Sequence, residues 1–299
     1  MESLTGLAAF VHAAEQRSYV VAGRILGVSS SAVAKNISRL EARLGVRLLN
    51  RTTRSISLTE AGGVFYDRCR RILDDLRDAE AVLSESREQP QGRLHVSVPL
   101  IVGHHLLMPH LAAFRSLHPR LELDVALDDR VTDIVAEGVD VAIRSGDLAD
   151  SRLMARRIGP QHFVVCGSPA YLGRHGVPQG PDDLLRHACI HFKYPSSGRL
   201  APWAFRPPHD GRRLPASLVF NNTDAGLRAA VDGLGLAHLP VYVARPAIDA
   251  GRLQPVLTGD MVPFGALSCV WPANRLLSPK VRAFVDFAVD RLSTEMRPL

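Results

Sequence analysis

Apolar residues recur at helical spacing through the first third of the chain, while the remainder alternates them or groups them in short runs. Val33, Ile37, Leu40 and Leu44 stand at i, i+4, i+7 and i+11, one stripe of a helix from about Ser30 to Leu44. Lys35, Ser38, Arg39 and Arg43 fall away from that stripe. Upstream, Val20 to Leu26 reads as a short helix with Ala22 and Gly23 inside it. Glycine weakens a helix, but two helices that cross steeply need small residues where their backbones meet. Gly27 stops the first helix, any of Ser29, Ser30 and Ser31 can cap the second, and Gly45 ends it. Leu48 to Arg51 and Ser55 to Leu58 read as two short strands around Thr52, Thr53 and Arg54. The order is a helix-turn-helix followed by a wing.

Such a unit lays its second helix in the major groove of DNA, leading turns first. The residues so placed are Ser29, Ser30, Ser31, Ala34, Lys35, Asn36 and Arg39. Arg51 and Arg54 suit phosphate or the minor groove, and Thr52 and Thr53 offer hydroxyls to phosphate. Charge sharpens the picture. Residues 1–58 hold eight basic side chains (Arg17, Arg24, Lys35, Arg39, Arg43, Arg47, Arg51, Arg54) against Glu2, Glu15 and Glu41, a net of +5 in a chain whose total is +6. Positive charge gathered at one end fits nucleic-acid binding with a salt-dependent affinity. The alternative is an unrelated helical hairpin with solvated arginines; hairpin, wing and charge together argue against it.

Thr59 is positioned to cap a further helix, whose apolar residues Phe65, Cys69, Ile72, Leu76, Ala79 and Leu83 step by 4 and 3 in alternation. That is a heptad-like seam, with mixed charge on the other faces, and it predicts pairing with a second copy. The alternative is an amphipathic helix packed on its own chain. Ser84 to Gly92 is polar and carries Pro90, which reads as a domain boundary.

Beyond Gly92 strands alternate with helices. Leu94, Val96 and Val98 alternate in one strand, and Leu121, Leu123, Val125 and Leu127 in another, with a helix from Leu106 to Leu117 between them. A short helix over Val131 to Glu137 and a strand at Val141 to Ile143 follow. A second set comprises strands at 163–166, 189–192, 218–220 and 236–239 and helices at 169–174 and 223–232. The alternation predicts an α/β half with mostly parallel sheets in two lobes. The chain crosses between lobes near Gly159-Pro160 and again near Gly259 to Phe264, and a last helix from Ser278 to Leu292 returns to the first lobe. The expected fold is therefore α+β and multidomain. It comprises a winged helix-turn-helix over 1–58, a linker helix over 59–89, and a two-lobed α/β domain over 92–299. Lobe I takes about 92–160 and 264–299, lobe II about 161–263.

In a two-lobed α/β domain a small ligand sits between the lobes, at strand ends and helix starts. Pro99, Leu100 and Ile101, then Arg144 and Ser145, then Tyr194, Ser196 and Ser197, then Asn222 and Thr223 fall there. Open N–H groups and serine hydroxyls favour an anion, and Arg144 adds a charge-assisted donor. The expected ligand is a small carboxylate or polar aromatic compound. Alternatively, Arg144 forms an ion pair with Asp128 or Asp129.

The segment from Leu7 to Gly62 resembles the DNA-binding domain of LysR-type transcriptional regulators. Leu7, Phe10, Ala14, Ala22, Leu26, Val28, Ser29, Val33, Ile37, Leu40, Gly45, Leu48, Arg51, Thr52, Leu58, Thr59 and Gly62 carry the likeness. The chain departs from the family pattern at Gly23, Ala34, Asn36 and Leu49. Ala34 and Ser30 fall where family members often read bases, so the groove-reading role carries over and the target sequence does not. The resemblance implies a dimerising linker helix, an effector domain built like a periplasmic solute-binding protein, operator DNA as partner, and a dimer or dimer of dimers. RNA polymerase is a further candidate partner.

Other classes find little support. No G-x-S-x-G elbow, P-loop or H-E-x-x-H occurs, so no enzyme activity and no cofactor are expected. Gly233 to Ala237 echoes a dinucleotide loop but follows a helix and precedes a strand, the reverse order. His187, Cys189 and His191 lack a companion pair, so no metal site is expected. His104 and His105 read as a solvated loop before a helix. Four cysteines (Cys69, Cys166, Cys189, Cys269) without C-x-x-C spacing suggest reduced thiols. No long apolar run predicts a membrane span, and no leader pattern opens the chain, so a cytoplasmic protein is expected.

Overall fold

The computed structural model describes residues 2–51, 56–83, 89–130, 133–146, 152–211, 213–273 and 278–299. It divides into two compact units, 1–88 and 89–299.

In the first unit α1 (Glu2–Gln16), α2 (Tyr19–Leu26) and α3 (Ser30–Leu44) precede a hairpin of β1 (Leu49–Arg51) and β2 (Ile56–Leu58), and α4 (Glu60–Leu83) follows. Ser18 and Ser29 cap α2 and α3 by accepting from Val21 N–H and Ala32 N–H at 3.3 and 3.2 Å. Gly27 and Gly45 close both helices in the left-handed region, φ 66° and 69°. Gly23 has its packing reason: a Cβ there would stand 2.6 Å from the Val28 carbonyl oxygen. The hairpin pairs Leu49 with Leu58 and Arg51 with Ile56. Phe10, Ala22, Val33, Ile37, Leu40, Leu48 and Cys69 form a buried core.

Two expectations need correction here. Leu44 does not join the buried stripe; in the last turn of α3 it is exposed. Phe65 and Cys69 do not belong to an intermolecular seam. Phe65 packs on Phe10 at 5.7 Å between ring centroids, and Cys69 is buried in the same core, so the first turns of α4 face their own domain.

The second unit opens with β3 (Gly92–Val98). A continuous helical stretch follows, made of α5 (Leu100–Val102), a π-helical turn over Gly103–Leu107 and α6 (Met108–Leu117). Then come β4 (Leu121–Leu127), β5 (Val141–Ser145) and β6 (Leu153–Pro160). Helical backbone therefore starts at Leu100, not Leu106, and His104 and His105 lie in the π turn rather than in a loop. Residues 133–138 form turns in place of the expected helix: Asp133 Oδ1 accepts from Val135 and Ala136 N–H, which fastens the local bend. Residues 131 and 132 lie outside the described residues.

Lobe II contains β7 (Phe163–Gly167), α7 (Pro169–His175), β8 (Cys189–Phe192), β9 (Leu218–Phe220), α8 (Thr223–Val231), β10 (Leu236–Pro240), α9 (Val241–Asp249) and β11 (Gln254–Val256). The chain returns through β12 (Ala266–Pro272) to α10 (Pro279–Glu295). The sheets run β4-β3-β5-β12-β6 and β11-β7-β10-β8-β9. Both are mixed rather than mostly parallel. β12 runs antiparallel to β5 and β6, and β7 antiparallel to β10 and β11. The chain crosses between the sheets and comes back, which reverses these strands. At the crossing the two segments hold each other: Phe264 N–H donates to Gln161 O at 2.9 Å and Gln161 N–H to Gly265 O at 3.1 Å.

Alternation along β7 explains the two cores of lobe II. Val164 and Cys166 pack with Ile190, Ala230 and Leu239 on one face, and Val165 with Leu172, Leu184 and Trp203 on the other. Lobe I buries Leu94, Val96, Val98, Phe114, Phe284 and Leu292, with Phe114 edge-on to Phe284 at 5.7 Å. No helix among the described residues is long and apolar enough to cross a membrane.

Candidate functional site

Two sites emerge, one in each unit. In the first, the buried stripe of α3 turns the opposite side of the helix outward. Ser30, Ser31, Lys35, Ser38 and Arg39 are exposed, and Ala34 and Asn36 half-buried. Lys35 and Arg39 sit one turn apart, with no acidic partner among the described residues. Ser29 is committed to capping and also bonds Ser31 Oγ at 2.9 Å, which leaves Ser30 as the first hydroxyl on the helix. The side chains of Arg51, Thr52, Thr53 and Arg54 lie outside the described residues.

The base of the wing is fixed by several contacts, of which the sequence announced only the Thr59 cap. Glu41 Oε1 accepts from Leu48 N–H at 2.8 Å and Leu49 N–H at 3.1 Å, tying the end of α3 to β1. Thr59 donates to Arg47 O at 2.8 Å and caps α4 by accepting from Gly62 N–H at 2.9 Å. A glutamate facing the same chain seven residues on is invisible to helix periodicity, which sees only partners three or four apart.

Farther along α4, Ile72 and Leu76 are exposed, 48% and 42%. Ala79 and Leu83, the other expected seam residues, have side chains outside the described residues.

The second site is a cavity of about 400 Å³ between the lobes. Pro99, Ile101, Arg144 and Ser145 line it from lobe I, and Tyr194, Ser196, Asn222 and Thr223 from lobe II. Of the expected residues, Leu100 and Ser197 do not line it. Leu100 N–H is turned to Asp129 Oδ1 at 2.9 Å, and Ser197 Oγ takes Arg199 N–H in its own turn. Asn222 caps α8 by accepting from Ala225 N–H at 2.9 Å, so the helix start opens on the cavity. Arg144 donates to Ser97 Oγ at 2.9 Å and to Ile143 O at 3.1 Å, which holds the guanidinium in the wall. Burial lowers its pKa, against the pull of Glu137 and Asp128; an arginine stays charged regardless. Asp128, a candidate partner of Arg144, bonds Arg130 through backbone N–H and side chain.

The sequence reading missed the aromatic and imidazole part of this wall. Phe163 stacks on His238 at 4.7 Å and His238 on Trp203 at 5.6 Å. Phe192, Phe264, Tyr242 and His191 complete that side. Desolvation pushes His238 down to about 3, so it is neutral. These residues come from β7, β8, β10, α9 and two connecting segments, and the only linear signal is alternation within β7, β8 and β10.

Both histidines of the π turn face lobe II: His105 Nε2 lies 2.8 Å from Asp224 Oδ1 in the first turn of α8, and His104 Nδ1 3.6 Å from Asp224 Oδ2. The expected loop pair of histidines is thus part of the lobe junction. The four cysteines are buried, and burial raises every thiol: Cys69 to about 11, the other three to about 12. Little thiolate exists near neutral pH.

The family described as "Bacterial regulatory helix-turn-helix protein, lysR family" matches residues 4–63, and "LysR substrate binding domain" matches residues 87–293. An HTH-type transcriptional regulator of Xanthomonas campestris pv. campestris is 37% identical over 288 residues, 95% of this chain and 84% of the relative. CrgA of Neisseria meningitidis serogroup C is 34% identical over 296 residues, 97% of each chain. The solved structure of CrgA from Neisseria meningitidis superposes with a TM-score of 0.63 at 32% identity, covering 96% of this chain and 98% of that one. Full-length AphB, the Vibrio cholerae virulence activator, superposes at 0.59 with 27% identity, covering 96% and 98%.

Proposed function

From the premise that this chain belongs to the LysR-type transcriptional regulators, non-enzymatic proteins that bind DNA and small-molecule effectors and form oligomers, we propose a division of labour among its parts. Residues 1–58 read the operator, α4 joins two copies, and residues 92–299 bind an anionic effector between their lobes. The protein works in the cytoplasm, where its DNA is, with RNA polymerase as a further partner.

The observation that carries the DNA reading is the outward face of α3. Its leading turns present Ser30, Ser31, Ala34, Lys35 and Asn36, with Arg39 one turn on, over a core that fixes the helix in place. Base contacts specify and cationic contacts position. Arg39→Ala is expected to weaken binding to every DNA sequence and to reduce the salt slope of log K by about 1. Titrations of operator and unrelated duplex across a salt series check this, and an unchanged slope removes Arg39 from the interface.

For α4, the exposed Ile72 and Leu76 are the available part of the expected seam. Leu76→Glu is expected to split dimers in sedimentation velocity, because like charges would then face each other in an apolar contact. A dimer that survives places the seam elsewhere.

In the cavity the Arg144 guanidinium, Ser145, Ser196 and the start of α8 supply donors for an anion. A ligand touching both lobes stabilises the closed arrangement by its differential contacts. The His105–Asp224 contact lies across the same junction and must adjust when the lobes move. Through α4, that movement re-spaces the two DNA-binding units and changes operator occupancy.

A further inference from the structure

We propose that the effector is a zwitterion, an α-amino acid with an aryl or branched apolar side chain, and that Asp129 and Tyr242 read its ammonium group beside the anion-binding residues. The inference deepens the effector reading and rests on the cavity being the effector site.

Asp129 follows β4 in lobe I, Tyr242 opens α9 in lobe II, and both line the cavity. The neighbouring carboxylate, Asp128, is engaged by Arg130 through backbone N–H and side chain. Asp129 has no such cation. Its Oδ1 takes the Leu100 N–H at 2.9 Å, and its Oδ2 has no hydrogen-bond partner among the described residues. A carboxylate partly withdrawn from water favours a cation against it. Tyr242 is 8% exposed, and what remains of its surface lines the cavity. Its Oη makes no hydrogen bond among the described residues, yet it is not sealed off as the orphaned polar atoms of the interior are. A buried tyrosine hydroxyl usually finds a partner. Burial and then the charge of Asp129 raise its pKa, which sets the hydroxyl near that carboxylate and keeps it neutral. An ammonium has three donors and no acceptor, so one group can serve Asp129 Oδ2 and Tyr242 Oη together. A purely anionic ligand would meet the Asp129 charge instead.

The sheet sets the spacing of the two charges. Arg144 donates to Ser97 Oγ, so its guanidinium lies over β3, and Asp129 follows β4, the paired strand about 5 Å away. An α-amino acid carries carboxylate and ammonium on a single carbon, which lets one ligand meet both strand ends. The rest of the ligand has an apolar wall to cover. Phe163 lies flat on His238, 11° between ring planes, and Phe264 stands edge-on to Phe163 at 6.4 Å. Aromatic walls of this kind take a planar ring in offset or edge contact. Because Asp129 belongs to lobe I and Tyr242 to lobe II, an ammonium between them also ties the lobes together.

The test uses full-length protein and isothermal titration calorimetry with L-phenylalanine, L-tryptophan and L-leucine. Each is set against the acid that lacks its amino group (3-phenylpropionate, 3-indolepropionate, 4-methylpentanoate) and the amine that lacks its carboxylate (phenethylamine, tryptamine, isopentylamine). At least one amino acid is expected to bind on the order of ten- to a hundredfold tighter than both of its partners. Asp129→Asn keeps the acceptor for Leu100, and Tyr242→Phe removes a single oxygen. Each is expected to close the gap between the amino acid and its des-amino acid, with the acid itself bound no more weakly; general damage to the site would weaken both. Equal binding of amino acid and des-amino acid in every set overturns the proposal, as does a gap that survives either substitution. Failure of all the probes to bind overturns the ligand class. Thr223→Trp, which crowds the cavity, separates this inference from the reading beneath it. Acids that bind without preference for the amino group and are lost in Thr223→Trp sink the zwitterion alone. Amino-acid binding indifferent to Thr223→Trp sinks the cavity as the effector site.

Discussion

Lys280→Met is expected to destabilise the C-terminal unit by about 3–5 kcal/mol, the cost of stripping one partner from a buried ion pair. Lys280, in the first turn of α10, is 3% exposed and Asp140 6%. The ammonium donates to Arg93 O at 2.8 Å and stands 3.6 Å from Asp140 Oδ2, which also accepts His95 N–H at 2.9 Å. Methionine matches the stem in length, so packing is nearly conserved and the loss is electrostatic. Both tryptophans, Trp203 and Trp271, lie in this unit, so urea unfolding followed by their fluorescence reports on it alone. The double variant Lys280→Met with Asp140→Asn should recover part of the loss, since the neutral amide keeps an acceptor for the His95 N–H and leaves no buried charge unpaired. If Lys280→Met costs under about 1 kcal/mol, the pair behaves like an exposed one and this account of it is wrong.

Gly62→Ala carries the second large effect, and its sign runs against helix propensity. In an open helix position alanine is favoured over glycine by about 1 kcal/mol. At Gly62 a Cβ would meet Leu48 O at 1.9 Å and Leu48 C at 2.9 Å. That backbone cannot yield easily. Glu41 holds the Leu48 N–H, and Thr59 N–H donates to the Leu48 carbonyl at 3.0 Å. Overpacking against side chains costs about 1–3 kcal/mol; against pinned backbone we expect about 3 kcal/mol or more, with the wing displaced from α4. DNA retention should be lost while the tryptophan signal of the other unit is unchanged. Gly63 is the internal control, because nothing lies within 4 Å of its added Cβ. Gly63→Ala is expected to raise the melting temperature of the first unit. Equal behaviour of the two variants contradicts the close approach at Gly62.

The DNA-binding unit is legible in sequence because its determinants are local. Caps, helix stops and a stripe at i, i+4 and i+7 all fall within about a dozen residues, and α3 has the bounds its pattern predicts. Gly23 was readable as a close approach for the same reason. The α4 seam was misread at Phe65 and Cys69 because a heptad spacing does not say whose surface it meets. A small three-helix core needs a fourth element to close it, and the first turns of α4 supply that within the chain. In the second unit the crossing strands hid themselves. β6 exposes Arg156 and Arg157 at the sheet edge and so breaks alternation, and β12 is buried along most of its length, so a continuous apolar run replaces a period.

The cavity was legible by its loops and not by its wall. Strand ends and helix starts can be placed from pattern alone, which brought Pro99, Arg144, Ser145, Asn222 and Thr223 to one cavity. His191 and His238 sit inside strands, where a histidine reads as any half-polar residue. Their meaning comes from what stacks on them, and that is a property of the folded chain.

The central claim is that α3 enters duplex grooves, and footprinting tests it most directly. Genomic fragments captured by the full-length protein at roughly 100 mM salt should yield a discrete protected promoter segment. It should consist of two half-sites about one helical turn, or a multiple of it, apart, and the protection should weaken in Arg39→Ala. Uniform retention of all fragments without a protected segment, by folded protein, would contradict it.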